Sequence, residues 1–378
     1  MSIRLRHFSS CGEHDYTSKY IIRTPTSDVI QSRTPMTKRP TLKDLAYAAG
    51  VGVATVDRAL NGRSNVRQET LDRVLDAAER IGYPTRMLSA RRDEASRPLI
   101  RFGFVLHKGS QEFYRNFAAA LQDVVNSRTD IRGRAVIRFA ASQAPDDFAK
   151  EIEVVAQQTD AIATSAINHP SLSELVSDLA RTGTPVFALL NDFAQNIRQN
   201  YLGLDNVKVG RTAAWMLTTH ARTPGKLAVF VGGNRWHGHL MRETGFQSYI
   251  REYAPDFSMI DTVVNLETRQ VTYEATLDLL DRQPDLRGIY VAGGGMEGAI
   301  AALREKRPPG KVALVVNELT DDSRKALVDR YATMVIATPL QELCENVVQL
   351  MIESQLSGQT SSPGQHFLTP QLYVPESF

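Results

Sequence analysis

Apolar residues between Thr41 and Arg63 recur at three-and-four spacing, first as Leu42, Leu45, Ala46 and Ala49 and then as Val53, Val56 and Leu60. Each set marks one face of a helix, so the pattern predicts two short helices, Leu42–Ala49 and Val53–Leu60. Gly50 and Gly52 bracket the joint, where glycine takes a left-handed or tight backbone cheaply. Two such helices cannot bury their stripes alone. The next segment, Arg67 to Ile81, supplies a third face through Leu71, Val74, Leu75, Ala78 and Ile81, and Gly82 suits a left-handed cap. From Leu99 the period changes. Short apolar runs alternate with amphipathic stretches of helical length, which predicts a parallel α/β body. The strand-like runs are Ile100–Leu106, Ala135–Phe139, Ala161–Thr164 and Val186–Leu190, then Leu227–Val231, Ser258–Val264, Gly288–Ala292, Val312–Val316 and Thr333–Ile336. Tyr201–Asn206 separates the two groups and reads as a crossover.

Charge distinguishes the first unit from the second. Between Met36 and Arg92 there are eleven Lys/Arg and six Asp/Glu, whereas the whole chain of 378 residues balances 44 basic against 42 acidic side chains. A three-helix unit with a local basic excess fits a helix-turn-helix whose second helix enters a DNA major groove; a small helical bundle with a solvated face is the plainer alternative. The length suits two or three domains. With only Cys11 and Cys344, the sequence offers no metal cluster and suggests a reducing, cytoplasmic setting. No apolar run approaches the roughly 20 residues needed to span a bilayer. Residues 1–35 are polar and aperiodic and read as a disordered leader, with Met36 as the expected true start.

The runs TLKDLAYAAGV, VATVDRALNGR and IGYP, followed by a long α/β body, resemble the LacI/GalR family of bacterial transcription regulators, in order over residues 41 to 378. The resemblance implies a helix-turn-helix DNA-binding domain over 36–84 and a hinge over 85–98. It further implies a two-lobed body of periplasmic-binding-protein type over 99–378, with doubly wound parallel sheets. Lobe 1 is expected at about 99–204 plus a late segment near 320–336, and lobe 2 at about 205–319 plus 337–378. Carried over by position, the base-reading residues are Val53, Ala54 and Arg58. Arg58 can fork onto guanine, while Val53 and Ala54 offer apolar contact. Asp57 can accept from a cytosine amino group or orient Arg58. Thr41, Thr55, Asn61, Asn65 and Thr70 are expected at phosphates. Family hinges wedge a leucine into the minor groove; here that position falls on Arg92 and Leu88 comes early, so Arg91 and Arg92 are expected near phosphates or in a narrow minor groove.

In open α/β sheets ligands sit beyond the carboxyl ends of strands, which is where the body's candidate effector residues lie. The resemblance assigns the aromatic pair Phe113 and Tyr114 and Arg242 of the Arg-x-x-Gly-Phe element to the effector cleft, and Asn191 and Asp192 follow a strand end, where one carboxylate can accept from two neighbouring sugar hydroxyls. Trp236 and His237 are expected to cap the cleft, and Glu318 and Thr338 to flank it. The aromatic pair has a plain alternative in pinning its helix to the sheet, Asp192 as a solvated loop residue, and His237 as a structural histidine. Gly293–Gly298 satisfies GxGxxG, with Glu318 about 20 residues on, and read alone is a dinucleotide fingerprint. The glycines also suit a ligand at a helix N-terminus, and on that reading Gly293 and Gly294 join the effector site. No catalytic triad, carboxylate pair or metal spacing is evident, so no cofactor and no enzyme activity is expected. The expected protein is a repressor of a carbohydrate uptake or catabolism operon, controlled by a sugar-like effector and bound to operator DNA as a homodimer or a tetramer, away from membranes. A nicotinamide-dependent enzyme or redox sensor using Gly293–Gly298 is the alternative.

Overall fold

The computed structural model describes residues 39–61, 66–84, 96–357 and 364–378, which fall into two compact units, Met1–Ala90 and Arg91–Phe378. The leader, most of the hinge, and Asn65, Leu88, Arg91 and Arg92 lie outside the described residues, as does the side chain of Asn61.

In the first unit, α1 (Leu42–Ala49) opens on a capping box. Thr41 Oγ1 accepts from the Asp44 N–H at 3.4 Å and the Asp44 carboxylate accepts from the Thr41 N–H at 2.8 Å, satisfying two donors that have no partner within the helix. Gly50 closes α1 at φ 64, then α2 (Val53–Asn61) and α3 (Gln68–Ile81) follow, the latter capped by Gly82 at φ 66. Leu45, Ala46 and Ala49 of α1 meet Val56 and Ala59 of α2 and Val74, Ala77 and Ala78 of α3 in one core. Small residues let three short helices approach closely, and Arg80 Nη2 donates to Ala48 O at 3.1 Å, tying α3 to α1.

The second unit has two sheets. The first lobe contains β1 (Leu99–His107), α4 (Glu112–Ser127), β2 (Arg132–Ala140), α5 (Pro145–Ala156), β3 (Ala161–Thr164), α6 (Pro170–Arg181), β4 (Val186–Leu189) and β5 (Asn200–Leu204). The second contains α7 (Asn206–His220), β6 (Lys226–Val231), α8 (His237–Tyr253), β7 (Ser258–Met259), β8 (Val263–Val264), α9 (Arg269–Arg282), β9 (Leu286–Val291), α10 (Met296–Lys306), β10 (Ala313–Asn317), α11 (Asp321–Val328) and β11 (Met334–Ala337). The chain then gives α12 (Leu340–Leu356) and β12 (Gly364–Leu368) to the first lobe and β13 (Gln371–Tyr373) to the second. Strand order is β12-β5-β4-β3-β1-β2, all parallel, and β13-β11-β10-β9-β6-β7 with β8 also on β6. Among the described residues only β13 runs antiparallel to its neighbour. Central strands such as β3 and β4 are buried at every position, as helices on both sheet faces require. The edge strand β2 instead exposes Arg132 and Arg138, which blunts the edge.

Two expectations are corrected here. The segment near 320–336 belongs to the second lobe, since β11 pairs with β10, and residues 340–368 belong to the first. Gln355 of α12 donates to Asp160 O, Arg128 just past α4 donates to Gln349 of α12, and β12 pairs with β5. The crossover at Tyr201–Asn206 contains a strand, β5, before the chain changes lobe. The run Ser258–Val264 is two strands of two residues each.

Candidate functional site

The cleft of the second unit is built from strand ends. In the first lobe, β1 leads to the start of α4, β3 to Ser165, and β4 to Leu190 and Asn191. From the second lobe, β6 leads to Trp236 and α8, β8 to Glu267, β9 to Gly293 and Gly294, and β10 to Asn317 and Glu318. The space between its walls, counting the open mouth and the solvent in it, is about 820 Å³. Non-glycine residues with positive φ cluster at these same strand ends: Lys108, Leu190, Leu266, Glu267 and Glu318. Such conformations are held against their own cost and collect where side chains must be aimed at a ligand.

Arg242 and Asn191 do much of the organising. Arg242 is buried and points inward, its Nε donating to Asn206 Oδ1 at 2.7 Å and its Nη1 to Ala292 O at 2.6 Å. The helix carrying it crosses α7 with almost no gap. A Cβ on Gly245 would stand 2.1 Å from Val207 O, and one on Gly210 would stand 1.8 Å from Arg242 O. The glycine of the Arg-x-x-Gly-Phe element therefore sets the helix crossing, and Phe246 anchors it by stacking on Tyr290 at 5.7 Å. Asn191 donates to Ala166 O at 2.7 Å and accepts from the Gly238 N–H at 3.0 Å, joining the first lobe to the N-terminus of α8. Gln143 donates to Leu266 O and accepts from Trp236 Nε1, and Glu112 accepts from the Asp321 N–H, adding further links between lobes.

Phe113, Tyr114, Asn191, Trp236, Arg242, Gly293, Gly294 and Glu318 all line the cleft. Asp192, His237 and Thr338 are not among its lining residues. Asp192 is buried in a two-pronged ion pair with Arg198, at 2.5 and 2.9 Å, and also accepts from Gln365. It fastens the β4 loop to β12 rather than facing a ligand. His237 lies beside Gln195 at 3.2 Å. Thr338 donates its N–H and hydroxyl to the two oxygens of Glu318, at 2.9 and 2.7 Å, so it positions Glu318 from behind.

Sequence reasoning missed a buried group around Glu267. Its Oε1 accepts from the Gly294 N–H at 3.1 Å and lies 3.6 Å from His239 Nε2, while its Oε2 lies 3.5 Å from His107 Nε2 of the other lobe. The Gly232 N–H donates to His239 Nδ1, which fixes the proton of that ring on Nε2, toward Glu267. Burial alone would raise the Glu267 carboxyl, but His107, the His239 charge and the Gly294 N–H hold it down, at about 2. Burial lowers His239 to about 4, with Arg242 and His107 acting in the same direction. Burial likewise raises Glu318, against the Thr338 donors, and raises Tyr114. The weak cue in the sequence was an Asn-Leu-Glu after a two-residue strand, too short to register by period.

The glycine loop reads differently in three dimensions. A Cβ on Gly293 would meet His239 at 2.2 Å, one on Gly295 would meet Thr272 Oγ1 at 2.3 Å, and one on Gly298 would meet Arg269 O at 2.1 Å. The Gly294 N–H is taken by the Glu267 carboxylate. A fixed anion thus already holds a backbone N–H that a pyrophosphate at this loop would need. The dinucleotide reading is set aside.

In the first unit, α2 turns Val56 and Ala59 into the core and leaves Val53, Ala54 and Arg58 exposed. Thr55, Asp57 and Thr70 are half-buried beside that face, and the Thr41 hydroxyl is engaged in the α1 cap. Residues 41–85 match the family described as bacterial regulatory proteins, lacI family, and residues 102–360 match the periplasmic binding protein domain. The chain belongs to the lacI family. Among similar regulators, CelR of Thermobifida fusca is 25% identical over 90% of this chain and 98% of its own length. The sucrose operon repressor of Streptococcus mutans is 27% identical over 66% of this chain and 72% of its own. The body alone shares its fold with a solute-binding protein from Agrobacterium vitis solved with α-D-tagatopyranose, at a TM-score of 0.67 and 18% identity, covering 73% of this chain and 95% of that one. This lacI-family chain is thus a DNA-binding transcriptional regulator. Among its described residues no helix is long and apolar enough to cross a membrane.

Proposed function

We propose that this regulator represses a carbohydrate uptake or catabolism operon and responds to a small sugar-like effector held between the lobes. The observation that carries the effector half is the convergence of Phe113, Trp236, Asn191, Arg242 and Glu318 on one cleft. Flat rings suit the apolar face of a sugar, and an arginine with an amide suits its hydroxyls. Among the described residues Arg242 Nη2 has no hydrogen-bond partner, so it keeps a donor for a ligand. The operon repressor and sugar-bound structure among its relatives support the same assignment. A ligand at this seam touches both lobes, so it favours one lobe arrangement over another, and only that unequal affinity can change operator binding. Dimeric binding to a two-fold operator follows from the symmetry such operators share with their readers. Arg58 on the exposed face of α2 reads the bases, with Val53 and Ala54 beside it. Phosphate contacts from Thr55, Asn61, Asn65 and Thr70, and from Arg91 and Arg92 in the linker, set the register. A cytoplasmic location agrees with that task.

Selection of bound sequences from a random duplex pool tests the reading. A two-fold consensus should emerge with the wild-type chain, and Arg58→Ala should weaken that site by about 1–3 kcal/mol while changing binding to unrelated DNA little. A consensus that Arg58→Ala reads equally well removes Arg58 from the base-reading role.

A further inference from the structure

The first lobe carries a group of arginines where the chain enters it. β1 and β2 pair with Leu99 beside Arg132 and Arg101 beside Arg134. Neighbours in a parallel sheet project to the same side, as do residues two apart along a strand, so these side chains share one face, and all of them are exposed. Further along that face the sheet is covered. Val155 of α5 packs over Gly103, and Glu151 of α5 accepts from Arg138. α5 ends at Ala156, and the exposed group lies beyond it.

The charges here are not balanced. Asp160 accepts from Nε and Nη2 of Arg101, and Asp130 pairs with Arg128 in the turn before β2. Arg132 uses only its Nε, on Arg97 O at 3.2 Å. Arg134 makes no side-chain hydrogen bond or ion pair among the described residues. Like charges side by side on neighbouring strands cost stability. A single charge suffices to protect an edge strand, whereas this face sets Arg101, Arg132 and Arg134 against the one carboxylate of Asp160. Their place in the chain decides what they can meet. Leu99 opens β1 directly after the linker 85–98 that joins the body to the DNA-reading head. About 14 residues reach at most about 50 Å when extended, the length of about 15 base pairs of duplex.

We propose that the body itself binds DNA: Arg132 and Arg134, with Arg101 beside them, hold phosphates of the duplex flanking the site that α2 reads. A guanidinium presents a planar fork of donors that matches phosphate oxygens. Such contacts carry no sequence information, so they strengthen the hold on a site without changing which site is read.

Fluorescence anisotropy of the full chain on a short and a long labelled duplex tests this. Both carry the two-fold site selected above; the short one ends at its last base pair and the long one continues for about 20 base pairs on each side, beyond the reach of the linker. Each phosphate neutralised steepens the fall of log affinity with log salt by about 0.9, so Arg132 and Arg134 of one protomer should steepen the slope on the long duplex by about 1.8. Between about 50 and 200 mM salt the extra hold of the long duplex should then shrink roughly tenfold. Arg132→Gln combined with Arg134→Gln should lose that extra slope while binding the short duplex as the wild type does, which also reports an intact fold. Arg222→Gln combined with Lys311→Gln removes the same charge from exposed positions of the second lobe and should keep the extra slope. Equal slopes on the two duplexes in the wild-type chain overturn the proposal. So does an extra slope that survives loss of Arg132 and Arg134, or one that the second-lobe variant loses equally.

Discussion

Gly245→Ala sets two physical effects against each other. In the middle of an exposed helix alanine is favoured over glycine by about 1 kcal/mol, so local propensity predicts a stabilised protein. Packing predicts the reverse, because the new methyl would stand 2.1 Å from Val207 O and 2.9 Å from Val207 C, both backbone atoms. Neither can swing aside, so α8 must retreat from α7 by about 1 Å, an overpacking strain worth about 1–3 kcal/mol. The same retreat stretches the 2.7 Å bond from Arg242 Nε to Asn206 Oδ1, a buried bond from a charged donor worth about 1.5–3 kcal/mol. Subtracting the propensity gain leaves a net loss of about 3 kcal/mol, which for a body of this size lowers the thermal midpoint by roughly 5 °C. Differential scanning calorimetry on the full chain measures it. A midpoint equal to or above that of the wild type would refute the reasoning and return Gly245 to the role of a neutral helix residue.

Two further outcomes follow from the buried cleft. Arg242→Met keeps the length of the side chain and removes its donors, leaving Asn206 Oδ1 and Ala292 O unpaired; effector affinity should fall at least about tenfold while DNA affinity without effector is preserved, and an unchanged induction curve would take Arg242 out of the pocket. Acid should weaken the body before the carboxylates titrate. The folded protein keeps His239 unprotonated down to about pH 4, whereas the unfolded chain takes up its proton near 6.5. Between those values the unfolded chain binds more protons, so stability declines as the pH falls from 6.5 to 4, by about 3 kcal/mol in total for this residue. Denaturant midpoints along that range should follow this slope and lose most of it in His239→Gln; a flat profile would contradict the burial of a neutral ring.

Legibility varied with how local each signal was. The three head helices were readable to within a residue because their stripes, Gly50 and Gly82 are set by near neighbours in sequence. Central strands such as Ala161–Thr164 stood out as continuous apolar runs, since both faces of a parallel sheet are covered. Strands β12 and β13 were invisible, because Gly364–Leu368 is half polar and gains its place only by pairing with β5 from far along the chain. The same long-range return explains why the late segments were given to the wrong lobes. At the site, Phe113, Asn191 and Arg242 follow strands that show in the sequence as apolar runs, and all three line the cleft. A carboxylate just past a strand end could not show its orientation in sequence. Asp192 turned to Arg198, while Glu267, after a strand of two residues, turned into the cleft.

The central claim is that a ligand in the cleft changes how tightly the head holds its operator. Fluorescence anisotropy of a labelled duplex carrying the selected two-fold site, titrated with the full chain in the absence and presence of a saturating sugar chosen by calorimetric titration, tests this most directly. A coupling of about 1–3 kcal/mol, a shift in operator affinity of roughly 5- to 150-fold, is the predicted result. An affinity for the operator that stays the same with every sugar shown to bind the cleft would contradict the account.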